Sequence, residues 1–264
     1  MVRKSTFFVV AVLLAAIVFV SAYPAPAGQP VKGSDRVLSS RTFIHFRKAH
    51  VKPPWAGGGG GGKPGGKDQG YYTYLSKGAK WKTVEEFRLN ANCGENASSA
   101  PKALIAAAVA AGMSEWETHA GADVFDAIVD NELVSYKEGA YRGWNTISFG
   151  DYGDPNVIGV ARVWGYFSGK PDQREIIEAH IQLNDPPFEW GDATVDGDGD
   201  GSPDHWIMDV QNILTHELGH AAGMGDVYQP EAGEETMYGY SGEGETKKRD
   251  LYTGDKTGIG ELYE

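Results

Sequence analysis

From Val84 to Asn90 apolar and polar residues alternate, which is the period of a strand with one buried face. Ser98-Ser99-Ala100-Pro101 then offers capping hydroxyls and a proline suited to a first helical turn. The alanine-rich run after it predicts a helix to about Trp116 or His119. Four more strands are expected around Val124 to Val129, Thr146 to Phe149, Val157 to Tyr166 and Ile176 to Leu183. The period then changes. Ile207, Val210, Ile213, Leu214, Leu218 and Ala221 recur at helical spacing, so a helix is expected from about Ile207, and a last one near Asp255 to Leu262. Two long helices and a C-terminal helix on a mixed, mostly parallel sheet make the expected class α/β (α+β). No internal repeat is present.

Upstream of residue 71 the pattern is different. Met1-Val-Arg3-Lys4 is a positive cluster, Thr6 to Val20 is an apolar run, and Val20-Ser21-Ala22 supplies small residues for cleavage. Residues 1–22 therefore read as a secretory signal peptide, with the protein secreted and no membrane span left after its removal. An uncleaved anchor is the rival reading, although the run falls short of the roughly 20 residues a span needs. In residues 23–70 only Val37, Leu38, Phe43, Ile44 and Phe46 form a short strand-like or interaction segment. Gly57 to Gly62 and Lys63-Pro-Gly-Gly-Lys67 follow and predict a flexible linker, with the folded domain over 71–264. No Ser or Thr follows Lys63 or Lys67, so the glycines are not a phosphate loop.

Charge divides at the same place. Residues 1–70 hold ten Lys or Arg and two Asp or Glu (+8), and residues 71–264 hold fourteen and thirty-four (−20), which sum to −12. So acidic a second half argues against nucleic acid or an anionic membrane as its partner. After the signal, residues 23–70 carry eight basic and two acidic side chains (+6), tethered to that acidic domain. A tether raises effective concentration, so Phe43 to Phe46 could reach and block a groove as an inhibitory pro-segment, with Asp35 or steric cover as the blocking element. A plain spacer is the rival. Cys93 is the one cysteine, so no internal disulfide can form.

The densest chemistry lies in His216-Glu217-Leu218-Gly219-His220-Ala221-Ala222-Gly223-Met224-Gly225-Asp226. Histidines four apart on a helix share one face and can reach one metal ion. Glu217 between them leans toward that ion without binding it, where it can take a proton from water. Gly223 can adopt a positive φ and turn the chain back, bringing Asp226 in as a third ligand. Two histidines and an aspartate suit zinc with one position open.

These residues, with Glu235-Thr236-Met237-Tyr238-Gly239-Tyr240 after them, resemble the metzincin metallopeptidases, which carry a long HExxHxxGxxH/D signature and a methionine turn. The chain looks most like a matrixin. Met237-Tyr238 resembles the matrixin Met-Tyr-Pro turn with Gly239 where proline is usual, and Asp255 to Tyr263 resembles the closing helix. Lys80-Trp81, Val84 to Asn90 and Ala179-His180-Ile181 extend the likeness over roughly 71–264. Matrixins supply a third histidine where Asp226 stands, a departure that bears on metal affinity and pH range more than on reaction type. The resemblance implies a matrixin-like catalytic domain: a secreted zinc endopeptidase with protein or peptide substrates. His216, His220 and Asp226 would hold zinc, Glu217 would act as general base on the zinc-activated water, Met237 would floor the metal, and Tyr238 would line the substrate pocket. The strand near Val157 to Tyr166 would pair with extended substrate. Cys93 lacks the arginine and proline that flank the inhibitory cysteine of matrixin propeptides, and reads as a structural thiol.

Asp196, Asp198, Asp200 and Asp204 alternate with glycines in a loop suited to calcium, with Gly201 at its sharp turn. Ile207 stands where a bidentate glutamate would close an EF-hand, and Asp209 is the candidate to replace it. His180 reads as a locally hydrogen-bonded strand residue, His205 as exposed, and Asn96-Ala-Ser98 as a bare glycosylation sequon. Two alternatives stand beside the peptidase. One is a zinc peptidase whose third ligand is Glu243 or Glu245, and the other is an exported metal-binding or structural protein without turnover.

Overall fold

The computed structural model describes residues 36–48, 70–92, 100–135 and 140–264. The expected signal peptide and glycine linker, with Asp35, Cys93 and the sequon, lie outside the described residues. The elements in chain order are β1 (Leu38–Arg47), β2 (Thr73–Tyr74), β3 (Glu85–Asn90), α1 (Lys102–Ala120), β4 (Phe125–Asp130), β5 (Asn145–Gly150), β6 (Val157–Tyr166), β7 (Glu175–Asn184), β8 (Glu189–Gly191), β9 (Ile207–Asp209), α2 (Val210–Ala222), β10 (Met224–Gly225), β11 (Tyr240–Ser241) and α3 (Thr253–Tyr263). Seven strands make one sheet in the order β11-β1-β6-β7-β5-β3-β4. Strands β7, β5, β3 and β4 run parallel, β6 is antiparallel to both β7 and β1, and β11 adds parallel to β1. The sheet is mixed and mostly parallel, with three helices, as the α/β (α+β) reading expects. Parallel neighbours need a crossover, and α1 supplies it between β3 and β4.

The segment that reads as strand-like in the sequence is the ten-residue strand β1, built into the sheet beside β6. Phe43, Ile44 and Phe46 are buried there, so this part of residues 23–70 packs more than its composition suggests.

Helix α2 starts later than the periodicity predicts. Ile207–Asp209 instead forms β9 on β8, because Asp209 takes the N-cap and accepts the Asn212 amide at 2.8 Å. The helix ends at Gly223, whose φ of 110° only glycine adopts readily. Every residue of α2 except Gln211 is buried. It lies between β6 and β7 on one side and α1 on the other. At the α1 crossing, a Cβ on Gly112 would stand 2.9 Å from Leu218, and Trp116 Nε1 donates to the Thr215 carbonyl at 2.7 Å. A buried helix held from both sides is a rigid base for side chains that must converge.

Candidate metal centre

Helix α2 sets the imidazoles of His216 and His220 one turn apart and edge to face at 4.8 Å, with both residues at most 1 % exposed. After the Gly223 turn, β10 pairs with β2 and carries the chain to Asp226. Asp226 Oδ1 lies 3.3 Å from His216 Nε2 and 3.3 Å from His220 Nε2. Each ring is oriented through its other nitrogen: His216 Nδ1 donates to the Thr236 carbonyl at 2.7 Å, and His220 Nδ1 donates to the Met224 carbonyl at 3.1 Å. With Nδ1 carrying the proton, both Nε2 lone pairs face the Asp226 carboxylate. His216 Nε2, His220 Nε2, Asp226 Oδ1 and both Glu217 carboxylate oxygens are buried without a hydrogen-bond partner. Buried acceptors converging with no donor are costly unless a cation completes them. His216, His220 and Asp226 form one of three groups among the described residues able to hold a metal ion. The donor set, two imidazoles and a carboxylate, fits zinc.

The protonation tendencies fit the same picture. Burial, followed by the Lys248 charge, pushes His216 down to about 3. Burial works to lower His220 too, but the Asp226 carboxylate outweighs it and the net direction is up. Asp226 is held well below the usual carboxylate range, because His220 and His216 overcome its burial. Burial raises Glu217 to about 8. Without a cation, a carboxyl raised so far is mostly protonated at neutral pH, and a positive charge bound beside it would favour the ionised, proton-accepting form.

Gly159 and Tyr228 shape this centre and carry no local signal in the sequence, and Gly219 and Met237 of the two motifs pack beside it. Gly159 of β6 lies under Glu217: a Cβ there would stand 2.7 Å from Glu217 Oε1. Gly219, between the two histidines, leaves room for the Met237 sulfur and the Trp116 ring, either of which a Cβ would strike. Met237 is fully buried, with its sulfur packed against that glycine. Tyr228 donates its hydroxyl to Asp226 Oδ2 at 2.9 Å, leaving Oδ1 for the histidines. The Tyr228 ring fills the space in front of Gly239, so a larger residue at that position would displace it. Tyr238 is half-buried and packs edge-on against Tyr240.

Strand β1 covers the centre. Phe43 stacks on His220 at 4.0 Å and 10°, and His45 stacks on His216 at 3.9 Å. His45 Nδ1 faces Glu217 Oε1 at 3.4 Å, while its Nε2 accepts a hydrogen bond from the buried Lys248 ammonium at 3.0 Å. His45 pairs across the ladder with Gly159, the position that makes room for Glu217.

The remaining candidates lie apart from the centre. Glu243 pairs with Arg47, and Glu245 pairs with Lys48 and accepts from Ser241 and Gly242. Asp196, Asp198 and Asp204 form a second group able to hold a cation, which Asp200 does not join. Asp204 is 8 % exposed, and its Oδ1 has no partner. Asp209 is engaged as the α2 cap and with Arg249, so it does not complete that loop. His180 is buried between Glu178 at 2.7 Å and the Thr146 hydroxyl at 2.8 Å, and His205 is exposed. No protein-family model matches this chain, and no curated protein matches it either.

Proposed function

We propose that the chain is a secreted zinc-dependent endopeptidase on a matrixin-like variant of the metzincin fold. The observation that carries this reading is the meeting of three partnerless acceptors, from His216, His220 and Asp226, beside the partnerless carboxylate of Glu217. Zinc held by those three residues would act as a Lewis acid toward water and the scissile carbonyl. Glu217 takes the proton from the attacking water and returns it to the leaving amine, a role supported by its two partnerless oxygens beside the three acceptors. The Thr236 and Met224 carbonyls fix the two rings so that Nε2 faces the reacting side. Tyr228 holds the Asp226 carboxylate from behind. Gly159 keeps β6 clear of the base. The acidic loop is proposed to hold calcium through Asp196, Asp198 and Asp204, with the free Oδ1 of Asp204 as the supporting observation.

One observation favours a second reading. With β1 seated, His216, Glu217 and His220 are all closed to solvent, as in a structural metal site. An exported metal-binding protein without turnover would have that character. The two readings part on one experiment, metal content together with hydrolysis of extended peptides. The peptidase reading expects Glu217→Ala to retain one zinc and lose cleavage by at least ~100-fold, as removal of a general base does. Undiminished cleavage in that variant, or no cleavage by any form of the chain, would reject it.

A further inference from the structure

Strand β1 is the resident of a surface whose chemistry it discloses. It lies antiparallel along β6 from Leu38, opposite Tyr166, to Phe46, opposite Val157. Its side chains at Phe43 and His45, two residues apart on one face, cover the rings of His220 and His216. Its opposite face sets Ile44 and Phe46 against Val157 and Val160. No peptide could reach Glu217 with this strand in place, since Glu217 is 0 % exposed. A peptide that reacts at Glu217 must therefore take the place of β1, and main-chain pairing with β6 would receive it in the same extended form.

The His45 slot ends on an unusual group. Lys248 is fully buried, and its ammonium donates to the Tyr238 carbonyl and to His45 Nε2. Its backbone is pinned by the Asn212 side chain, which accepts the Lys248 amide at 2.8 Å. An ammonium held so firmly cannot follow a departing strand to solvent. When His45 leaves, one donor is left facing the slot, and an apolar replacement would leave it unsatisfied.

With β6 as the substrate-pairing strand and β1 as its resident inhibitor, as the peptidase reading has them, we propose that Lys248 selects the peptide that replaces β1. The favoured partner is an extended segment with an aromatic residue over His220 and, two residues further on, a side chain that accepts a hydrogen bond, imidazole or carboxylate. This rests on the peptidase reading for the identity of Glu217 and its neighbours, but its test does not depend on cleavage.

The test uses the full-length chain with chelator present and two labelled peptides. One has the sequence of residues 38–47, and the other has leucine at the histidine place. An outside peptide sees an affinity reduced by the fraction of chains whose edge is open. Losing a hydrogen bond to a buried donor changes that fraction about tenfold. His45→Leu should therefore speed hydrogen exchange of the β1 amides about tenfold, leave β5 and β7 unchanged, and tighten apparent binding of the histidine peptide by a similar factor. In the His45→Leu chain the leucine peptide should bind about tenfold more weakly than the histidine peptide. Lys248→Met should abolish that difference, and Lys248→Arg should keep it. Equal binding of the two peptides to the His45→Leu chain would overturn the proposal without requiring any Lys248 variant to fold. Discrimination that survives Lys248→Met would overturn it as well. The expected binding pattern with no hydrolysis after metal is restored would retain this surface and remove the peptidase reading.

Discussion

At the scale of single residues, the centre depends as much on absent side chains as on present ones. Gly219 admits the Met237 sulfur and Trp116 against the helix, so Gly219→Ala should cost about 1–3 kcal/mol by overpacking, read as a lower denaturant midpoint. Gly159→Ala tests a different point, because its methyl would push on Glu217 rather than on a ligand. Zinc content should stay at one per chain while peptide turnover falls at least ~10-fold, since a base displaced by an ångström loses its alignment. Asp226→Ala should weaken zinc binding sharply, whereas Glu243→Ala and Glu245→Ala should leave it within error. These two glutamates are occupied by Arg47 and Lys48, and equilibrium titration with zinc separates the cases. His216, Glu217, His220 and Asp226 were legible because helix periodicity and one glycine turn fix their relation over eleven neighbouring residues. Lys248 was not, since Lys247-Lys248-Arg249 has the composition of a solvated turn. Gly159 and His45 were not legible either, because only strand register brings them to the base.

Among the elements, β1 and the acidic loop were the hardest to judge from pattern alone. The apolar residues of β1 mark a strand, but nothing local says which strand it joins. That choice is made by the open edge of β6 and by the burial of Phe43, Ile44 and Phe46. The loop shows the complementary problem. Its alternating aspartates are visible, yet Asp200 turns to the Ser202 amide and Asp209 is taken by the α2 cap. Asp196, Asp198 and Asp204 remain as the converging set. A cation bound only by the folded chain stabilises it by mass action, by about 2.7 kcal/mol at a hundredfold excess over its Kd. Calcium should raise the melting temperature of the wild-type chain, and Asp198→Ala with Asp204→Asn should erase the increase. The melting temperature of an Asp200→Ala chain should still respond to calcium. Identical curves with and without calcium in the wild type would leave the loop as a solvated turn.

For the molecule as a whole, charge and buried carboxylates set the response to conditions. Arg36, Arg47 and Lys48 of the β1 region pair with Glu175, Glu243 and Glu245 of the acidic domain. Such partly exposed pairs are screened by salt and contribute little individually. A second effect is buried. Asp255 is pushed up to about 7 from its ordinary value of 3.8, by its burial first and by the Glu235 carboxylate second. A carboxyl raised in the folded state gives stability that is full below about pH 4 and lost as pH rises through 7. Stability of the metal-free chain should therefore fall between about pH 4 and 7 more steeply than that of Glu235→Gln, as measured by chemical denaturation at each pH. Parallel profiles would remove the pair from the account. The central claim, that His216, His220 and Asp226 hold a metal ion, is met most directly by anomalous diffraction at the zinc edge from crystals of the zinc-loaded chain. One strong peak is expected within bonding distance of His216 Nε2, His220 Nε2 and Asp226 Oδ1. Zinc density elsewhere, with those three atoms bare, would contradict it.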